Sequence, residues 1–196
     1  MYTIDELIAS GERPRVHGNG FLQLDLPGGS RLHVWDDRLP RQAVSTQIHD
    51  HSFTLSSTVL KGRLRHTVIS DAALAGPANS YGVYVAEPTP GREHDTTLVP
   101  ERGRGAPRVV GVEVVTSVEM AAGSSYTFSP YVLHTTDAEG TTATLMRKLT
   151  RDAGYRPRVL VPLGQEPDNE FDREQQDEFL LWEVVRDALE GELVFA

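Results

Sequence analysis

The chain is expected to fold as an all-β protein, an antiparallel barrel or sandwich. Three observations predict it. Short segments alternate apolar and polar residues with period two, Gly and Pro punctuate nearly every junction, and no helical pattern interrupts them between residues 20 and 150. A chain of 196 residues suits one domain with a sizeable core that carries decorations at its ends.

The first decoration is a short helix. Thr3-Ile4-Asp5-Glu6 matches a capping box, and Leu7, Ile8 and then Gly11 supply an apolar face and a stop. Phe21 to Leu26 and Arg31 to Trp35 alternate across Pro27-Gly28-Gly29-Ser30, a hairpin signal that puts His33 on one face with Arg31 and Trp35. From Thr46 to Ile69 the strand character is nearly continuous, with a kink expected at His51-Ser52 and a turn at Lys61-Gly62.

Residues 71 to 79 read as a loop and Tyr81 to Val85 as a strand. Pro88 to Pro107, rich in Pro, Gly and Arg, reads as a long excursion from the sheet, and the valines of Arg108 to Met120 resume it. Turns are expected at Ala121-Ala122-Gly123 and Ser129-Pro130, with strands at Ser125 to Phe128 and Tyr131 to Thr136. Asp137-Ala138-Glu139-Gly140 reads as a hairpin turn into a last strand, Thr141 to Thr150. Residues 1–150 thus form the barrel with its N-terminal helix. Residues 151–196 form an extended segment followed by a helix over Phe171 to Leu189, with Phe179, Leu180, Trp182, Val185 and Leu189 at helical spacing. That stripe needs a surface, on the barrel or on a second copy, so a homodimer is expected.

Bulk chemistry excludes several functions. A net charge of −9 argues against a nucleic-acid surface. There are no cysteines, hence no disulfides, thiolate nucleophile or thiolate metal ligand. No apolar run approaches the ~20 residues that span a bilayer, and Met1 to Glu6 lacks a signal-peptide pattern, so a cytoplasmic protein without membrane contact is expected.

The chemistry concentrates in Gln47-Ile48-His49-Asp50-His51-Ser52-Phe53. Side chains alternate along a strand, so His49 and His51 point the same way and can offer two imidazoles to one metal ion. Another histidine, His134, sits in a second strand-rich segment after a Gly and a Pro. His66 alternates with Leu64 and Val68; it is a fourth ligand, an orienting neighbour or a structural histidine. His17, His33 and His94 lack paired spacing and read as structural or surface residues. Arg92, Arg102, Arg104 and Arg108 read as a solvated loop rather than an anion-attracting lid.

These residues resemble the motifs of the cupin superfamily. His49-Asp50-His51 and Gly62 match its first motif, and Gly123, Pro130 and His134 match its second over roughly residues 20 to 150. The departures are specific. Leu55 and Ser56 stand where the family has Glu, Pro130 to His134 is one residue short, and Ala138 replaces Asn. Within the superfamily the chain looks most like the three-histidine thiol dioxygenases of the cysteine dioxygenase type.

The resemblance implies a cupin-type antiparallel β-barrel, a double-stranded β-helix, with His49, His51 and His134 as ligands of a divalent ion. Fe(II) is the leading ion, with Ni, Mn or Zn as alternatives. It also implies Arg31 as the clamp for a substrate carboxylate. The family's catalytic tyrosine has no counterpart in Leu145-Met146-Arg147-Lys148; Tyr126, Tyr131 or Tyr155 could replace it in space, and Tyr126 is the leading choice. The function expected is dioxygenation of a small anionic molecule such as a thiol carboxylate, with O2 as co-substrate. Three neutral imidazoles leave open positions on a metal and no ligand carboxylate to offset its charge, which suits an anionic ligand. Zinc in the same site would favour hydrolysis. A non-enzymatic small-molecule binding or sensing cupin is the alternative.

Overall fold

Two long strands carry the architecture. The computed structural model describes residues 3–40, 47–73, 76, 79–91, 96–103, 105–173 and 176–189. In it β5 (Phe53–Ala72) and β10 (His134–Arg151) pair antiparallel almost end to end, from His134 opposite Val68 to Arg151 opposite Phe53.

Neither of the two glycine turns expected inside these strands is a turn. Gly62 and Gly140 have positive φ, 76° and 59°, yet the two strands stay paired on both sides, with Asp137, Ala138 and Glu139 opposite Arg65, Leu64 and Arg63. The register shifts between Glu139 and Ala143, so the glycines sit in a bulge that bends both strands together. A left-handed glycine serves a bulge and a hairpin equally well, and only the partner strand decides between them. Backbone proximity also demands glycine at position 62: an added Cβ would lie 2.4 Å from Thr142 Oγ1 and 2.6 Å from the Thr141 carbonyl oxygen.

On one side of the bend the sheet closes. β5 pairs with β8 (Arg108–Ala121), β8 with β6 (Ser80–Pro88), β6 with β11 (Arg158–Pro162), β11 with β4 (Ile48–His49), β4 with β10, and β10 with β5 again. Every pairing is antiparallel, and the ring returns to its start, which makes a closed antiparallel β-barrel. On the other side, β9 (Ser125–Phe128) extends β5, while β3 (Ser30–Trp35), β2 (Phe21–Leu26) and β1 (Arg15–His17) extend β10.

The outer face of that extension is the larger core. Leu22, Leu24, Leu32, Val34 and Ala143 pack there against Leu7 of α1 (Ile4–Ala9) and Leu181, Trp182 and Val185 of α2 (Glu178–Ala188). Alternation therefore turns His17, Gln23, Arg31 and His33 to the opposite face, toward the cavity. Gly28 and Gly29, at φ 83° and 80°, close the β2–β3 hairpin as a tight turn with two left-handed residues. The capping box of Thr3 and Glu6 forms in both directions.

Three further expectations change. The excursion over 88–107 contains β7 (Thr96–Pro100), which adds an edge strand to β6. The terminal helix begins only at Glu178, where Asp177 accepts hydrogen bonds from the Phe179 and Leu180 amides. Its buried stripe is Leu181, Trp182, Val184, Val185 and Ala188, all covered by the chain's own core, whereas Phe179 is 69% exposed. Cap position shifts the buried face, and the periodicity alone did not reveal where the first turn starts. His94, Arg92 and Arg104 lie outside the described residues. Among those described, no helix is long and apolar enough to cross a membrane.

Candidate metal centre

β4 contains only Ile48 and His49, so His51 stands just beyond a strand and not within one. Its place is held by the backbone: the Tyr131 amide donates to the His51 carbonyl at 3.0 Å, and the Asp152 amide donates to the Ser52 carbonyl at 2.7 Å. His134 opens β10 directly opposite His49. Cross-strand pairing therefore brings the third imidazole to the first two.

The three rings form a triangle, with centroids 4.9 Å apart for His49 and His51, 4.6 Å for His49 and His134, and 4.9 Å for His51 and His134. One ring nitrogen from each lies within 4.8 Å of the others, a grouping that could hold a metal ion. His49 Nδ1 faces the Gln47 carbonyl at 3.1 Å and His134 Nδ1 faces the Val132 carbonyl at 2.9 Å. A carbonyl can only accept, so Nδ1 carries the proton in both rings and Nε2 is left as a lone-pair donor. Burial lowers the pKa of His49, His51 and His134; for His51, the neighbouring His49 and His134 lower it further. Three neutral imidazoles, two of them with the tautomer fixed in this way, fit a divalent first-row ion, and no carboxylate belongs to the group.

His66 lies beside this triangle and outside it. Its ring is 5.2 Å from that of His134, its Nδ1 is 2.8 Å from Thr136 Oγ1, and its buried Nε2 has no hydrogen-bond partner. Burial lowers its pKa to about 4, so the ring is neutral at pH 7. Tyr126 packs 5.0 Å from His66 and lines the same cavity, and burial raises its hydroxyl pKa. The other two tyrosines point their hydroxyls elsewhere: Tyr131 donates to Asp152 Oδ2 and Tyr155 donates to Asp50 Oδ2.

The cavity has two lobes that share His33, His49, His51 and Met146. One, of about 250 Å³, reaches His66, Tyr126 and Thr136; the other, of about 300 Å³, reaches Gln23, Arg31, Phe53, Leu98 and Phe171. His17 and His33, read from the sequence as structural or surface residues, both line this space. Burial, with Arg31 next, pushes His33 down to about 3, and burial chiefly lowers His17. The Asn19 amide donates to His17 Nδ1, which makes Nε2 the protonated nitrogen of that ring. Strand alternation in β1 and β3 was a signal for these two histidines; which face became the cavity was not.

Arg31 lines the second lobe, and its Nε donates to Asp25 Oδ1 at 2.5 Å. Asp25 also accepts from Arg15 Nη2, and these two cations hold the carboxyl below its usual range against the opposing effect of burial. Two guanidiniums share one carboxylate, which leaves the Arg15–Arg31–Asp25 group with a net positive charge. The segment after residue 162 closes the lobe from outside: Asn169 accepts from the Leu98 amide and donates to the Leu98 carbonyl, and the Arg173 carbonyl accepts from the Val16 amide. Arg108 is paired with Glu101 at 2.7 Å, away from the cavity.

No family model and no curated protein matches the chain. Solved structures that align with parts of it include the following three. Hydroquinone 1,2-dioxygenase PnpCD, in complex with Cd2+ and 4-hydroxybenzonitrile, shares 14% identity over 64% of this chain at a TM-score of 0.33. Hydroxypropylphosphonic acid epoxidase from S. wedmorenis shares 11% over 70% at 0.36. Hydroquinone 1,2-dioxygenase from Sphingomonas sp. TTNP3, with 4-hydroxybenzoate bound, shares 9% over 70% at 0.34. The alignments span 60%, 55% and 66% of those chains. By its own strand pairings and side chains, the molecule is a closed antiparallel β-barrel with a three-histidine cavity.

Proposed function

We propose that the chain is a metal-dependent dioxygenase of a small anionic substrate, with Fe(II) as its ion and a thiol carboxylate as the leading substrate. The observation that carries this reading is the triangle of three neutral imidazoles, His134 buried and His49 and His51 half-buried, in the wall of a cavity that also has the cationic Arg31 in its lining. His49, His51 and His134 would hold the ion, which when bound would supply adjacent open positions for the substrate and O2.

The remaining roles fall to side chains already in place. Arg31 binds the substrate carboxylate, since its bond to Asp25 uses Nε and leaves the terminal amines for a bidentate contact. His66 lines the first lobe, where its ring orients the reacting group, and Thr136 fixes the ring. The Tyr126 hydroxyl stays protonated at neutral pH and donates a hydrogen bond to the reacting group. Phe53, Leu98 and Phe171 give the second lobe an apolar side against which the rest of the substrate packs.

Elemental analysis of purified protein beside its His49→Ala/His51→Ala variant tests the metal, and O2 uptake by Fe(II)-loaded protein on thiols and diketones tests the reaction. One ion per chain that disappears in the variant, with uptake abolished by His51→Ala, is the expected result. A wild type that cannot be loaded with any divalent ion would overturn the proposal. Metal-dependent turnover without oxygen would replace it with an isomerase or hydrolase.

A further inference from the structure

Asp50 stands between two candidate ligands and is 1% exposed, its carboxylate turned toward residues 155–158. A carboxylate buried this deeply is unfavourable unless its lone pairs are filled. Here residues 155–158 supply the donors. The Arg158 amide donates to Oδ1 at 2.7 Å, Arg158 Nε donates to Oδ2 at 2.7 Å, and the Tyr155 hydroxyl donates to Oδ2 at 2.6 Å. The Asp50 amide in turn donates to the Arg158 carbonyl at 3.0 Å.

The same guanidinium reaches the other half of the site. Arg158 Nη2 donates to the Tyr131 carbonyl at 3.3 Å, and the Tyr131 amide donates to the His51 carbonyl at 3.0 Å. Tyr131 lies three residues before His134 and is the one non-glycine residue with positive φ among those described, at 69°. A left-handed tyrosine persists only where its surroundings over-determine it. Besides those two bonds, its hydroxyl is tied to Asp152 and its ring meets Tyr155 edge-on at 4.5 Å.

We propose that Asp50, Arg158 and Tyr131 form a positioning clasp that sets the distance between the His49–His51 pair and His134. The extended segment after residue 151 thereby determines how tightly the site takes its ion. The inference rests on the reading of the triangle as a metal site. It assigns these three residues no contact with substrate or metal; they act through the ligands.

Arg158→Lys tests it, because an ammonium keeps the charge beside Asp50 but cannot reproduce the planar fork that bonds Asp50 and Tyr131 together. Co(II) is titrated against a competing chelator, its absorption bands are recorded, and the thermal midpoint of the metal-free protein is measured in parallel. The expected result is about 10–100-fold weaker Co(II) binding with altered bands for Arg158→Lys and Asp50→Asn. Leu181→Ala, which loosens the remote helix core, is expected to lower the midpoint and leave affinity and bands unchanged. Wild-type affinity in folded Arg158→Lys overturns the clasp. So does a loss that Leu181→Ala reproduces at an equal drop in midpoint, since the residues would then be merely structural. Should Arg158→Lys fail to fold, Tyr155→Phe, which removes a single bond to Asp50, decides by the same criterion. A wild type that binds no Co(II) overturns the metal reading itself, and shows this before any variant is made.

Discussion

Replacing Gly62 by alanine tests the bend on which the site depends. Two penalties meet at that residue. A non-glycine side chain in the left-handed region costs about 1–2 kcal/mol, and the new Cβ would sit 2.4 Å from Thr142 Oγ1, 2.6 Å from the Thr141 carbonyl oxygen and 2.9 Å from Thr142 Cα. Two of those three atoms are backbone, so relief requires the paired strands to separate. That removes the bonds by which Thr142 Oγ1 accepts from the Arg63 amide and donates to the Arg63 carbonyl, about 1 kcal/mol each. The sum is roughly 3–4 kcal/mol. Gly140 is the internal control. Its φ is 59° but no atom lies within 4 Å of an added Cβ, so Gly140→Ala carries the conformational cost alone. At about 2–4 °C per kcal/mol for a chain of this size, thermal unfolding should drop by about 10 °C for Gly62→Ala and about 4 °C for Gly140→Ala. Urea titration supplies the free energies directly. Equal losses at the two positions would refute the argument that close strand approach, and not φ alone, demands glycine at 62.

Other outcomes follow from the same contacts. Leu181→Ala empties a fully packed position and should cost about 2–5 kcal/mol in urea unfolding, whereas Phe179→Ser, on the exposed side of the same helix, should stay within about 0.5 kcal/mol. Bonds from Arg38, its side chain foremost, lower the Asp36 pKa to about 2. A carboxyl lowered on folding stabilises the protein above its ordinary value and loses that contribution as pH falls through the folded value. Wild type should therefore lose on the order of 1–2 kcal/mol between about pH 4 and pH 2 that Asp36→Asn does not lose, as read by urea midpoints across that range. Tyr126→Phe should keep the metal and the fold while turnover falls about 10–100-fold; unchanged turnover would remove the hydroxyl from the reaction.

Much of this molecule was legible in its residues. Strand alternation and punctuation announced an antiparallel β fold, the capping box of Thr3 and Glu6 announced the first helix, and His49-Asp50-His51 announced a pair of imidazoles on one side of a chain. Each of these depends on neighbours within a few residues, where periodicity and local hydrogen bonding act. The meaning of Gly62 and Gly140 was not local. Both carry the left-handed conformation that a hairpin would use, and the continuation of pairing on their far sides made them bulges.

The site divides along the same line. That His134 joins His49 and His51 was implied by the motif resemblance, and the structure brings it about through a cross-strand pair 85 residues apart in the chain. That His17 and His33 line a cavity depended on which face of β1 to β3 was covered by the helices. The role of Asp50 was invisible in the motif, because its partners, Tyr155 and Arg158, enter from a segment that reads only as extended. Local sequence determined which groups could bind an ion and which strands could carry them. The tertiary structure decided what surrounds those groups and which further side chains meet them, since burial and long-range strand register are properties of the closed sheet and of no single stretch within it.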